Sequence, residues 1–152
     1  MDEQVEEILT AFPGLRYDQY FAITSPATPD YNCIAWAFDC DNCWMWPEDD
    51  VDGVSVWPYN SAGSTDVHTF VEAFRNIGFH ECEHDGHEEG FQKIALYCYP
   101  DSLECTHAAR QLNNGLWTSK LGCSNDIQHS TPFTIQGRLY GKVACILRRS
   151  VS

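Results

Sequence analysis

The nine residues from Asp30 to Phe38 read DYNCIAWAF, and this stretch decides the fold class. Asp30 follows a proline, and its carboxylate suits the first position of a helix. The residues behind it are apolar on every side, which is typical of a helix inside a protein core. The sequence therefore predicts a buried central helix, with Cys33 about one turn inside its amino end.

The residues on either side of this stretch contain two more helix signals. Residues 2–11 place apolar side chains at helical spacing. Residues 64–66, Ser-Thr-Asp, cap an amphipathic helix that runs through residues 67–77. Residues 39–63 and 80–90 lack a regular hydrophobic pattern, and we expect both to be loops.

Strand-like runs fill the carboxy-terminal half of the chain. They are residues 93–99, 105–112, 116–121 and 140–147. Asn114 and Gly115 join the second run to the third, and Asn-Gly tolerates the positive φ angles of a tight hairpin turn. We therefore expect one α+β domain over residues 1–152, with N-terminal helices packed on a C-terminal antiparallel sheet. Residues 1–29 would form a helix and lead-in, and residues 30–149 the core.

Composition and charge exclude several classes of function. The chain has 152 residues, and 43% of them are hydrophobic, which is enough for a core without disulfide bonds. Its 22 acidic residues outnumber 9 basic ones, giving a formal charge of −13 that repels phosphate backbones and anionic lipid headgroups. We therefore expect neither a nucleic-acid partner nor a membrane partner.

The amino terminus and the cysteines bear on the cellular compartment. Residues 1–7 are acidic, unlike a secretory signal, and no apolar run approaches the ~18 residues that cross a bilayer. We expect a cytoplasmic protein, and we expect its eight cysteines to be mostly reduced thiols.

A thiol and an imidazole form the first candidate site. A cysteine is nucleophilic as the thiolate, and a position near a helix amino end lowers the pKa of the thiol. Cys33 has that position in the predicted helix. His107, on the first strand of the hairpin, is the candidate general base for it.

The hairpin register determines which side chains accompany His107. A two-residue turn places Gln111, Thr118 and Lys120 on the same face of the hairpin as His107. A three-residue turn keeps Gln111 on that face and replaces Thr118 and Lys120 with Trp117 and Ser119. In either register the chain after residue 122 returns beside His107. Asp126 is then the candidate that orients the imidazole, and Gln111 and Asn125 are the alternatives.

Several short blocks occur in a fixed order along the chain. They are YNCIAWA (31–37), Trp44 and Trp46-Pro47, KIALY (93–97), THAARQL (106–112), WTSKLG (117–122) and DIQH (126–129). Over residues 30–149 they resemble a family of small, mostly bacterial proteins without an assigned function. More distantly, a cysteine at a helix start followed by a histidine on a sheet resembles the papain-like hydrolases, including the NlpC-type cell-wall amidases and the transglutaminase-like enzymes.

The papain-like resemblance implies a reaction and roles for particular residues. Cys33 would attack an acyl carbon of an amide, isopeptide or glutamine side chain in an unknown protein or peptide substrate, and His107 would accept its proton. The third position departs from the pattern, because the strand after His107 carries no carboxylate and Asp126 comes only in the loop beyond it. No cofactor is implied. The side chains expected to bind substrate are Trp36, Trp44, Gln111, Ser119 and Lys120.

Two other functions remain open. Cys40 and Cys43 form a C-x-x-C pair, and together with residues of the 80–87 segment they could supply zinc ligands. Those further ligands would be His80, Cys82, His84 and His87. The acidic composition is also typical of a non-catalytic binding module, such as an immunity protein that covers a basic toxin.

Overall fold

The computed structural model describes residues 3–38, 44–46, 55–56, 64–121 and 124–151. Its α-helices are α1 (Glu3–Ala11), α2 (Cys33–Ala37) and α3 (Val67–Arg75), and 3₁₀ turns lie at Pro13–Tyr17 and Pro132–Ile135. Its strands are β1 (Ala22–Ile23), β2 (Trp44–Met45), β3 (Ser55–Val56), β4 (His80–Cys82), β5 (Phe91–Cys98), β6 (Cys105–Gln111), β7 (Trp117–Lys120), β8 (Asp126–His129) and β9 (Lys142–Ser150).

One antiparallel sheet dominates the molecule. Seven strands form it in the order β1-β8-β7-β6-β5-β9-β4, while β2 and β3 form a separate parallel pair. The α+β class is confirmed, but the sheet carries more of the fold than the sequence indicates. The segment expected to be a loop over residues 80–90 begins as β4, which pairs with β9 at one edge.

The two faces of the seven-stranded sheet bury two separate cores. On one face, which we call the α2 face, Ile34 of α2 and Phe74 of α3 pack on Leu96 and Ala108. On the other, which we call the α1 face, Leu9 of α1 packs in a cluster with Tyr97, Trp117 and Ile127. Because successive residues of a strand point to opposite faces, the register decides which core each side chain enters.

Helix α2 begins later than the sequence predicts. Its N-cap is Asn32, whose side chain accepts a hydrogen bond from the backbone N–H of Ala35. Asp30 is exposed, and its own backbone N–H donates to Thr28. Asn32 takes the cap because it also bonds both the N–H and the carbonyl of Met45 in β2. Cys33 is therefore the first residue of the helix.

The other local predictions are close to the structure. Helix α1 lies within residues 2–11, and α3 begins after Asp66, whose carboxylate accepts from the N–H of His68. The hairpin adopts the three-residue register, because β6 and β7 pair through Arg110↔Thr118 and Gln111↔Trp117.

None of the described helices is long and apolar enough to cross a membrane.

Candidate functional site

Cys33 lies in the hydrophobic core between α2 and the sheet, and not at the protein surface. It is 7% exposed, and it belongs to the cluster that packs α2 on Leu96 and Ala108. Burial raises the pKa of the Cys33 thiol to about 11, and the backbone N–H of Ala108 offsets only part of that effect. At neutral pH the side chain is therefore a thiol and not a thiolate.

His107 lies on the opposite face of the sheet from Cys33. It pairs with Tyr97 across β5 and β6, and its ring stacks on Tyr140 at a centroid distance of 4.0 Å. Tyr97 and Tyr140 both pack in the core of the α1 face. The structure therefore does not bring the imidazole to the thiol of Cys33.

The surroundings of His107 keep its ring neutral. The residue is fully buried, and neither ring nitrogen has a hydrogen-bond partner among the described residues. Burial holds the pKa of His107 well below its usual range, and nearby His129 lowers this pKa further. The side chain is thus a neutral base without the oriented hydrogen bonds of a catalytic triad.

Asp126 belongs to the α2 face. It is the first residue of β8 and pairs with Lys120 of β7. One carboxylate oxygen accepts a 2.6 Å hydrogen bond from the hydroxyl of Tyr31, and the other oxygen is buried with no hydrogen-bond partner in the described ranges. Asp126 therefore does not contact the imidazole that we expected it to orient.

A stack of rings and cations covers the α2 face beside Cys33. The guanidinium of Arg110 lies 4.2 Å from the centre of the Trp36 ring, and Trp36 stacks on Tyr31 at 5.3 Å. Below them the ammonium of Lys120 lies 5.1 Å from the Tyr31 ring, and it donates to the carbonyls of Thr28 and Ser124. Lys120 is fully buried, so its bonds hold the fold together.

The remaining predicted substrate-binding residues are dispersed. Ser119 lies on the α1 face, and the side chain of Trp44 lies outside the described residues. Gln111 is 7% exposed, and its Nε2 donates to the carbonyl of Asp85 at 2.8 Å. Gln111 also lines a cavity of about 430 Å³ at one end of the sheet.

His129 is a candidate that sequence reasoning missed. Its Nε2 lies 2.8 Å from Ser119 Oγ, and its Nδ1 lies 2.7 Å from the carbonyl oxygen of Thr131. That carbonyl can only accept, so Nδ1 carries the proton and Nε2 accepts from the serine hydroxyl. Burial lowers the pKa of His129 to about 4. The pair has the order of a nucleophile and a base, but both residues are fully buried.

The zinc hypothesis finds no support in the part of the chain that the structure describes. Within it, no three His, Cys, Asp or Glu side chains are grouped so that they could hold a metal ion. The thiol of Cys82 instead donates to the carbonyl of His84. Cys40 and Cys43 lie outside the described residues. The described cysteines are all free thiols: Cys33, Cys82, Cys98, Cys105 and Cys145.

Most of the basic side chains have a partner within the described structure. Lys93 and Lys120 are fully buried. Five arginines form ion pairs or lie over aromatic rings: Arg16, Arg75, Arg110, Arg148 and Arg149.

Many carboxylates, in contrast, face solvent. Those that are exposed and have no ion pair with any described residue include Glu3, Glu7, Glu83, Glu89, Asp101 and Glu104. Among the described residues, the exposed basic side chains are fewer: Arg16, Arg75, Arg138 and Lys142. The described surface therefore carries an excess of negative charge.

Comparisons with known proteins place the chain in a family but give it no activity. No curated protein and no solved structure matches it. The expected membership of a family without an assigned function is confirmed, and the match carries no papain-like or NlpC-type signal. The profile of a family described as a domain of unknown function, DUF7689, matches residues 22–148, and the chain therefore belongs to that family.

Proposed function

We propose that the protein is a non-catalytic binding module that takes up a cationic protein partner in the cytoplasm. The observation that carries this proposal is the excess of exposed carboxylates: among the described residues, exposed acidic side chains outnumber exposed basic ones, and two of the exposed basic side chains, Arg16 and Arg75, are already paired. Charge complementarity of this kind speeds association and selects a basic partner over an acidic one.

The burial of the candidate catalytic groups favours binding over catalysis. Cys33, His107, Ser119 and Asp126 are each less than a tenth exposed. A substrate carbonyl must come within about 3 to 3.5 Å of a nucleophile, and these side chains offer no such approach while they are covered. The thiol of Cys33 is also protonated at neutral pH, because burial raises its pKa to about 11.

Helix α1 offers the most defined part of the acidic surface. Glu3, Glu6, Glu7 and Thr10 line a shallow depression of about 310 Å³ on this helix. Glu6 is paired with Arg16 at 2.6 Å, whereas Glu3 and Glu7 have no ion pair with a described residue. A lysine or arginine side chain of a partner fits this depression, because it supplies the charge that the helix lacks.

The test compares two variants that remove the same charge at different places. An oligolysine peptide serves as the probe, and its fluorescence anisotropy reports the Kd at about 50 and about 300 mM NaCl. Glu3→Gln with Glu7→Gln removes the α1 carboxylates. Glu83→Gln with Glu89→Gln is the matched control, because both of those residues are also exposed.

We expect the wild-type Kd to rise at least about tenfold over this range of salt, as screening requires. We expect the α1 variant to bind at least about threefold more weakly than the control variant. Equal effects of the two variants would mean that α1 is not the docking site. A Kd that does not depend on salt would exclude charge as the source of the affinity.

A second candidate function is a papain-like thiol hydrolase or amidase that acts on an amide, isopeptide or glutamine side chain. The observation that favours it is that Cys33 is the first residue of α2, with Trp36, Lys120 and Asp126 on the same face of the sheet. A papain-like arrangement would also require His107 to reach that face. A fluorogenic glutamine amide tests this activity, and turnover that Cys33→Ala abolishes would support the hydrolase.

A further inference from the structure

Exposed aromatic side chains are concentrated at one place on the described surface. Four aromatic residues of the described ranges are exposed: Tyr17, Tyr20, Tyr99 and Phe133. Tyr17 ends the first 3₁₀ turn, Tyr20 follows it, and Phe133 lies in the second turn. We call these three residues the aromatic patch. Because aromatic side chains are enriched where proteins bind each other, the patch is a candidate contact surface.

One buried carboxylate holds the two segments of the patch together. Asp18 is 9% exposed, and its Oδ1 accepts from the backbone N–H of Tyr20 at 2.9 Å. Its Oδ2 accepts from the N–H and the hydroxyl of Ser130, at 2.7 and 2.9 Å. The backbones also meet at Gly14, where an added Cβ would lie 2.5 Å from the carbonyl oxygen of Thr134. The patch is therefore held on a fixed backbone, which limits the entropy lost when a partner binds.

Negative charge lies beside the patch. Burial raises the pKa of the Asp18 carboxyl, but its hydrogen bonds lower that pKa by more, and among the described residues the carboxylate has no ion pair. Arg16, which precedes Tyr17, is already paired with Glu6 at 2.6 Å. Glu6 also lines the acidic depression of α1, so the depression and the patch are neighbours. A cation is therefore attracted to both.

The rings of the patch are open to a ligand. Tyr17 is 91% exposed, and Tyr20 and Phe133 are each 49% exposed. Within the described ranges no other ring stacks on them, and neither tyrosine hydroxyl has a hydrogen-bond partner. The face of an aromatic ring attracts cations, and a guanidinium stacks on it better than an ammonium, because it is planar and weakly hydrated. This contact already occurs inside the fold, where the guanidinium of Arg148 lies 4.4 Å from the centre of the Phe91 ring.

We infer that the aromatic patch binds arginine side chains of the cationic partner, while the depression on α1 takes up further positive charges of the same segment. This inference rests on the proposed function and names the chemistry of the partner, which is a segment rich in arginine and not in lysine. The carboxylates attract both side chains, whereas the rings supply the preference for arginine. The two contributions can therefore be removed separately.

The experiment compares fluorescein-labelled hexa-arginine and hexa-lysine peptides, which carry the same charge, by fluorescence anisotropy. We expect the wild-type protein to bind the arginine peptide at least about threefold more tightly. Tyr17→Leu with Tyr20→Leu keeps apolar bulk but removes two rings, so it should bind both peptides equally. Tyr17→Phe with Tyr20→Phe keeps the rings and should retain the preference.

Tyr99→Leu is the matched control, because it removes an exposed tyrosine that follows β5, and it should retain the preference for arginine. Equal wild-type affinity for the two peptides would overturn the inference, and so would a double leucine variant that still prefers arginine. A dimer in sedimentation that the double leucine variant dissociates would also overturn it, because a second copy would then cover the patch. Hexa-lysine binding that salt does not weaken would instead overturn the proposed function.

Discussion

At the scale of the residue, His107 costs the fold free energy. A buried polar group without a hydrogen-bond partner loses its bonds to water and receives nothing in return. His107 is fully buried, and neither ring nitrogen is hydrogen-bonded within the part of the chain that the structure describes. Its stack on Tyr140, with the ring planes 7° apart, is a contact that a phenyl ring would also make.

We therefore expect His107→Phe to leave the free energy of unfolding unchanged or to raise it by up to about 2 kcal/mol at pH 7. Urea titration followed by circular dichroism measures the change. His129→Phe is the control, because it breaks the bonds to Ser119 and Thr131 and should destabilise the protein. A destabilised His107→Phe variant would show that the imidazole has a partner after all.

The two buried histidines also predict the pH dependence of stability. Burial lowers the pKa of His129 from 6.5 to about 4 and holds that of His107 well below its usual range. Between these values and about 6.5 the unfolded chain binds more protons than the folded one, so stability falls as the pH drops through this window. As the pH drops through this range, the free energy of unfolding of the His107→Phe variant should fall less steeply than that of the wild type.

Sequence reasoning at this scale identified residues but not their faces. The spacing of β6 shows that His107 and Gln111 share one face, yet it does not show which face α2 covers. Helix α2 packs on the face of Ala108, where the small side chain lets Cys33 approach the strand backbone. His129 was missed because its partner, Ser119, lies on another strand that only the folded sheet brings near.

At the scale of the element, Asn32 connects a short helix to a short strand. Helix α2 has five residues, too few to form without tertiary support. The side chain of Asn32 caps it and also bonds the N–H and carbonyl of Met45, and the residue is 3% exposed. One side chain thus satisfies three backbone groups in the core.

Asn32→Ala is expected to lower the free energy of unfolding by about 2 to 4 kcal/mol, because it removes a cap and leaves two buried groups of Met45 unpaired. Thermal and urea unfolding measure this loss. Asp66→Ala is the matched control: it removes the cap of α3, where the side chain is partly exposed, and it should cost only about 1 kcal/mol. Equal losses would show that Asn32 acts as a cap alone.

The elements divide into those that local patterns predict and those that need the whole sheet. Strands β6 and β7 fall within predicted runs. Strands β5 and β9 overlap their predicted runs, but β5 begins two residues earlier and β9 ends three residues later, where pairing with each other extends them. Strand β8 was not predicted, since Asp126 becomes a buried residue only through the hydroxyl of Tyr31. A register that depends on such distant partners cannot be inferred from local periodicity.

At the scale of the whole molecule, the formal charge of −13 opposes folding through self-repulsion. The Tm is therefore expected to rise by a few degrees between about 20 and about 500 mM NaCl, because salt screens the exposed carboxylates. A sucrose solution of equal osmolality controls for exclusion of solute from the surface. A Tm that falls with added NaCl would mean that attractive ion pairs outweigh the repulsion.

The two outermost strands of the large sheet are its shortest, with two residues in β1 and three in β4. A long, flat outer strand presents a row of unpaired backbone groups on which another chain can build a cross-β fibril. Here each border offers only a few such groups, and β4 carries His80 and Glu81 on exposed positions. The described borders of this sheet thus offer little template for the growth of an amyloid fibril.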